Sequence, residues 1–383
     1  MEFDFLQPIS NEMLHWIEEL SSQHLGSKVT FHTDKDFPDL NKIKIAVIGV
    51  LENRGDENAA VSIDLFPVRK ELYNLFPGNW NESIADLGDI LAGNSTADTY
   101  FALRKVTAAL IKRKIIPIVI GGSQDLTYAL YRAYDDLEQM VNLVSIDSKF
   151  DFGKENNEIS CDSYLSKIII EEPNNLFNYC NIGYQTYYNS QEEVDLVEKL
   201  FFDSYRLGEI SGNIAIAEPV FRDADLVSVD LRSIKSSDSG NFTTFTPNGF
   251  NGKEICSLSR YAGISDKVSL FGIFNHSGSK HESVLIAQIV WYFIEGFHYR
   301  SNEYPFGNKD NYIKYMVPLD EDELVFYKSD KTDRWWIEIP FISGSHNKLK
   351  RNTLLPCSYD EYLEACNQEI PERWWKAQRK NII

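Results

Sequence analysis

The 383-residue chain has no CxxC pair, no apolar run of membrane-spanning length and no excess of positive charge. Five cysteines (Cys161, Cys180, Cys256, Cys357, Cys366) are scattered and odd in number. That argues against a disulfide framework and predicts free thiols in a reducing compartment. Without a long apolar run there is no helical membrane span to expect. The amino-terminal MEFDFLQPISNEMLHW lacks a basic start followed by an apolar stretch. No secretory signal is therefore expected, and a cytoplasmic location is. Formal net charge is −19, which disfavours nucleic acid and anionic membranes as partners. Histidine is missing from a long stretch: His15, His24, His32, His276, His281, His298 and His346 leave residues 33–275 without one.

Strand-length apolar runs are present from Lys42 onward: IKIAVIGVL (43–51), KIIPIVI (114–120), VNLVSID (141–147), ADLVSVD (224–230) and KVSLFGIF (267–274). Helix-length amphipathic stretches alternate with them, at about 64–76, 97–113, 124–139, 191–202, 252–263 and 281–297. Runs that are continuously apolar predict strands covered on both faces. Their alternation with helices predicts an α/β fold with a doubly wound, mostly parallel sheet over residues 42–300. Residues 1–41 read as a separate segment with one short helix near Asn11–Leu20. After Arg300 the rhythm stops, and residues 301–383 read as a C-terminal extension holding four of the seven tryptophans.

Ligands in doubly wound sheets gather at the carboxyl ends of strands. Three polar motifs fall there: Gly121-Gly122-Ser123-Gln124-Asp125, then Asp147-Ser148-Lys149-Phe150-Asp151, then Asp230-Leu231-Arg232. Singly, each has a simple structural explanation. Two glycines turn a strand into a helix, DSKFD fits a strand-end turn with a salt bridge, and DLR carries little information. Together they predict one polar cluster.

These segments resemble the ureohydrolase family of arginases, agmatinases and formimidoylglutamases. That family carries GGDHS, DAHxD and SxDxDxxDP after successive buried strands, where this chain has GGSQD, DSKFD and SVDLRSIKS. IKIAVIGVLENRG, PVRKELYNLF, IADLGDI and FGIFNHSG resemble flanking family segments, and the likeness spans about residues 42–298. The resemblance implies the arginase-type sheet and a site for two Mn²⁺ ions held by two histidines and four aspartates. Carried over residue by residue, three of those ligands survive as Asp147, Asp151 and Asp230. The other three fall on Gln124, Lys149 and Arg232. The glutamate that binds the guanidinium in arginases falls on Ile273.

Three carboxylates against two cations leave the cluster at a net charge of −1 without any metal. Two Mn²⁺ would bring it to about +3 in a poorly solvated pocket, at a cost of at least several kcal/mol. The expectation is that the Lys149 ammonium and the Arg232 guanidinium fill the space of the ions and hydrogen-bond the aspartates. No histidine between residues 33 and 275 replaces a lost ligand. No metal or other cofactor is expected, and no bridging water is acidified for attack.

His276, His281 and Glu282 open a helix and read as capping or surface residues. Trp335, Trp336, Trp374 and Trp375 read as packing residues of the extension, with a partner surface as the alternative. On a strand Trp335 and Trp336 point to opposite faces, which leaves one of them open to a partner. The basic ERWWKAQRK (372–380) reads as a solvated helix end or an acidic-partner dock.

The functional expectation is a catalytically inactive ureohydrolase homologue serving as a scaffold or protein-interaction module, with unidentified protein partners. Family resemblance implies trimers or hexamers, a surface the extension would block or replace. Two other readings stand beside it. One is a hydrolase of a formimino or guanidino compound with metal-independent chemistry on Lys149, Asp147 and Asp151. The other is a sensor that binds a small metabolite in the old pocket.

Overall fold

The computed structural model describes residues 2–58, 63–153, 159–303, 305, 309–319, 323–339 and 354–382. The apolar runs form strands, as Val- and Ile-rich segments buried on both faces do. Ten strands make the main sheet. They are β1 (Leu6–Gln7), β2 (Thr30–Phe31), β3 (Ile45–Leu51), β4 (Ile84–Leu91), β5 (Ile116–Gly121), β6 (Val141–Ile146), β7 (Leu176–Tyr184), β8 (Asp203–Arg206), β9 (Leu226–Asp230) and β10 (Leu270–Phe274). Their order is β1-β4-β3-β5-β10-β9-β6-β7-β8, with β2 also on β4, and only the β1–β4 pairing is antiparallel. Residues 1–41 thus supply β1 and β2 as well as the expected helix, Asn11–Glu18.

Successive side chains of each strand alternate between two cores. Val47, Ile118, Val229 and Ile273 join one, and Ile48, Val119, Leu226 and Phe274 join the other. Parallel neighbours require crossovers, and helices cover both faces. Lys280–His298 packs on the first core and Thr96–Lys112 on the second. Side-chain caps fix where helices start: Ser95 with Asp98, Ser190 with Glu193 and Asn251 with Glu254 each form a capping box. The helix expected over 124–139 is instead Leu126–Arg132 followed by a 3-10 turn, Ala133–Leu137. Strands β5, β10, β9 and β6 are immediate neighbours at the sheet centre, so their carboxyl-end loops meet.

The extension forms a second sheet, antiparallel, in the order β11 (Tyr312–Pro318), β12 (Glu323–Ser329), β13 (Trp335–Glu338) and β14 (Leu354–Cys357). Helices Tyr359–Cys366 and Glu372–Ile382 follow. The stretch before Ser358 ends in strand β14; residues 346–353, His346 included, lie outside the described residues. Trp335 and Trp336 do point to opposite faces, but both faces are covered. Trp335 stacks on Tyr362 (4.6 Å), while Trp336 meets the Tyr312 ring (5.4 Å) and the Arg222 guanidinium (4.7 Å). Arg222, from core helix Ala217–Asp223, also donates to the carbonyls of Trp335 (2.9 Å) and Cys357 (3.0 Å). Trp374 is buried as well, so of the four candidate interface tryptophans only Trp375 is exposed, and it packs on Phe201. The basic end of the chain docks inward: Lys376 pairs with Asp203 and Glu372, and Lys380 donates to Asn178.

All five cysteines are free. No helix among the described residues is long and apolar enough to cross a membrane.

Candidate functional site at the carboxyl ends of the central strands

Three aspartates converge where the central strands end. Asp147 follows β6, Asp151 closes the same loop, and Asp230 ends β9; they are 1%, 5% and 6% exposed. The loops are shaped by Asx-type turns. Asp147 Oδ1 accepts from Lys149 N (2.9 Å), and Asp230 Oδ1 accepts from Arg232 N (2.8 Å). Asp151 sits at φ +57° and Asn275 at φ +61°, left-handed conformations that Asp and Asn tolerate better than most residues.

Gln124 lies in the same cluster, 1% exposed. Its carboxamide nitrogen donates to Tyr164 (3.3 Å) and Ser145 (3.4 Å), and its backbone N–H donates to Asn275 Oδ1 (3.1 Å). Asn275, after β10, donates in turn to Asp230 Oδ1 (2.8 Å). Asn275 and Tyr164 therefore belong to the site although they were not singled out in the sequence. Asn275 lies inside FGIFNHSG, and the adjacency of β10 to β9 is the signal that would have found it. Ile273 is fully buried, with β-partners Ile120 and Val229, and packs in the hydrophobic core.

The two cations do not occupy the centre as expected. Lys149 Nζ turns outward to Asp162 (2.9 Å), with both side chains about half exposed. Arg232 Nη2 pairs with Asp56, a nearly buried carboxylate from the loop after β3. Asp162 and Asp56 are partners far from their cations in the chain, and no local pattern marks them. Arg232 stays close enough to Asp230 to feel its charge, while its side-chain hydrogen bond goes to Asp56.

The inner aspartates respond to one another and to burial instead. Burial, then the Asp230 carboxylate, pushes the Asp147 carboxyl up to about 7. Asp151 is driven well above the usual range by burial and by Asp147. Burial also raises Asp230 against the pull of Arg232. Asp147 and Asp151 are within hydrogen-bonding reach of each other, and Oδ2 of each has no other partner. Two such carboxyls share a proton, because like charges at that separation do not both ionise.

A second buried group lies beside them. The side chains of His276 and Glu282 are fully buried, with His276 Nε2 3.7 Å from Glu282 Oε2. Glu282 Oε2 accepts from Ser277 N (2.5 Å) and Ser277 Oγ (2.7 Å). Burial pushes Glu282 up to about 7 and lowers His276 to about 4. Glu282 does stand in the first turn of helix Lys280–His298, but the cap is Ser279, and both His276 and Glu282 are buried rather than at the surface; His281 is exposed.

The donor set does not fit a pair of divalent manganese ions. A carboxamide that donates to Ser145 and Tyr164 and accepts from Asn275, an ammonium and a guanidinium stand where the resemblance sets three of the six ligands. No group of three or more His, Cys, Asp or Glu among the described residues is arranged to hold a metal ion.

Comparison with known proteins agrees with this architecture. A model of the arginase family matches residues 61–273. Trypanosoma cruzi formiminoglutamase, solved with Mn²⁺, superposes with a TM-score of 0.58 at 16% identity, covering 69% of this chain and 100% of that one. Formimidoylglutamase from Bacillus subtilis subsp. subtilis str. 168 gives 0.59 at 16%, covering 76% and 100%. Agmatine ureohydrolase of Thermoplasma volcanium gives 0.57 at 18%, covering 74% and 97%. None of the curated proteins compared with the chain matches it significantly. At such identities the superpositions establish the fold, while the family match covers more than half of the chain and includes all three strand-end motifs. By fold and by family match, this chain belongs to the arginase family.

Proposed function

We propose that this arginase-family chain does not carry out the metal-dependent hydrolysis of guanidino or formimino compounds, and that it works as a scaffold or protein-interaction module. The observation that carries this reading is the donor set. Gln124, Lys149 and Arg232 stand where two histidines and an aspartate are needed. Their polar groups are already committed, to Tyr164 and Ser145, to Asp162, and to Asp56. Without a metal pair, no bound water is acidified at neutral pH. A turnover screen with arginine, agmatine and formimidoylglutamate in the presence of Mn²⁺ tests it. Release of urea, ammonia or formamide above the uncatalysed rate overturns the proposal.

A second reading, a small-metabolite sensor, is favoured by a specific feature. Buried side-chain polar atoms without a protein hydrogen-bond partner lie at this site, Arg232 Nε and a ring nitrogen of His276 among them. Such groups call for water or a polar ligand. Thermal shift against amino acids and polyamines separates the readings: stabilisation without turnover favours a sensor, and no shift favours the scaffold.

A further inference from the structure

Among the cavities outside the site described above, one of about 360 Å³ lies between Tyr205 and the start of helix Tyr359–Cys366, and two others lie at opposite ends of the main sheet. The larger, about 890 Å³, sits at the amino ends of the central strands against the extension. Three of its charged groups satisfy one another: Lys267 Nζ reaches Asp223 Oδ1 (3.1 Å) and Asp225 Oδ2 (3.2 Å), and Asn142 donates to Asp223 Oδ2 (2.8 Å). The smaller cavity, about 350 Å³, opens at the carboxyl ends of β7 and β8, and its charged groups are differently placed.

Strand pairing sets Arg206 opposite Tyr184 at the end of β8, and the loop after β9 brings Lys235 to the same cavity. Neither side chain makes an ion pair or hydrogen bond with the described residues. Lys235 is close enough to Asp238 to lower that carboxyl's pKa, yet lies outside salt-bridge distance. The third charged lining group, Glu254, is occupied in a capping box with Asn251. On a chain of net charge −19, two converging cations without salt-bridged carboxylates are conspicuous. The cavity between them is also fixed in shape. Gln185, 4% exposed, donates to Asn248 O (2.7 Å) and accepts from Asn248 Nδ2 (2.9 Å) and from the Tyr187 hydroxyl. These bonds lock the loop after β7 to the segment before helix Gly252–Ile264. Tyr187, 65% exposed, leaves an aromatic face at the rim.

We infer that this cavity is a binding site for a small anion, a phosphate or carboxylate group held between Arg206 and Lys235, with the rest of the ligand lying along Tyr187. Two cations lining one cavity bind such groups through charge-assisted hydrogen bonds. The site is distinct from the aspartate cluster and does not depend on whether that cluster is catalytic.

The test is thermal unfolding of the full chain at constant ionic strength, with sodium phosphate or sodium acetate replacing chloride, and phosphorus NMR line broadening as a readout independent of stability. Saturable stabilisation by either anion is expected, and which anion saturates identifies the head group. Arg206→Gln and Lys235→Gln should each weaken the apparent affinity about tenfold, the loss of one charge-assisted contact. Lys253→Gln, an exposed neighbour outside the cavity, should leave it unchanged. An Arg206→Gln/Lys235→Gln double variant that folds and still responds like the unsubstituted chain overturns the site, as does the absence of any saturable response.

Discussion

Lys149 Nζ lies 2.9 Å from Asp162, on the outer side of its loop, while its backbone N–H holds Asp147. Lys149, which the resemblance sets at a metal-ligand position, therefore compensates a surface carboxylate and leaves the inner aspartates to share a proton. Exposed pairs of this kind contribute about 0–1 kcal/mol. Lys149→Ala should thus lower unfolding stability by no more than about 1 kcal/mol in urea titration. A loss of several kcal/mol would place the ammonium back among Asp147, Asp151 and Asp230.

Arg232 is the contrasting case. Its partner Asp56 has a side chain only 3% exposed, and Asp230 is close enough to feel its charge. Arg232→Ala strands a buried carboxylate and should cost about 3 kcal/mol. Equal effects for Arg232→Ala and Lys149→Ala would contradict the geometry.

Arg222 joins the two sheets. Removing its guanidinium leaves the carbonyls of Trp335 and Cys357 without these donors and uncovers the Trp336 ring. Arg222→Ala should raise hydrogen exchange in β13 and β14 while β6 and β9 stay protected. Unchanged exchange in β13 and β14 would show that the extension is held by other contacts.

Stability should fall as pH rises. Burial holds Asp125 at about 6, even with the Tyr100 hydroxyl donating to it (2.5 Å), and holds Glu282 at about 7. For a carboxyl whose folded pKa exceeds its unfolded value, the contribution to stability is complete below the unfolded pKa. It is lost as pH climbs through the folded pKa. Below about pH 6.5 the buried, neutral His276, lowered to about 4, pulls the other way. The unfolding midpoint should therefore decline from about pH 6.5 to about pH 8, and Glu282→Gln should flatten part of that slope. A midpoint that rises over this range would show that these carboxyls are solvated.

Much of this architecture is legible in the sequence. Continuous runs of Ile and Val give the central strands, and the strand ends bring Gln124, Asp147, Asp151 and Asp230 together as expected. What escaped had physical reasons. Strands β7 and β8 carry polar residues such as Asn178, Asn181 and Asp203, which break the apolar run. Strand β14 is four residues long and contains Pro356. Lys149 and Arg232 pair with Asp162 and Asp56, which no local spacing points to. Burial of Trp336 depends on Arg222, more than a hundred residues away.

Regaining a metal pair should need Gln124→His, Lys149→His and Arg232→Asp together, read as bound manganese per chain. Any single substitution that loads two ions would mean that the ligand positions have been misassigned.

The most direct measurement is native mass spectrometry of the chain isolated gently from its own cells, reading metal content and bound partners at once. The account predicts a chain without manganese, in a defined assembly with a protein partner. Two Mn²⁺ ions per chain would contradict it.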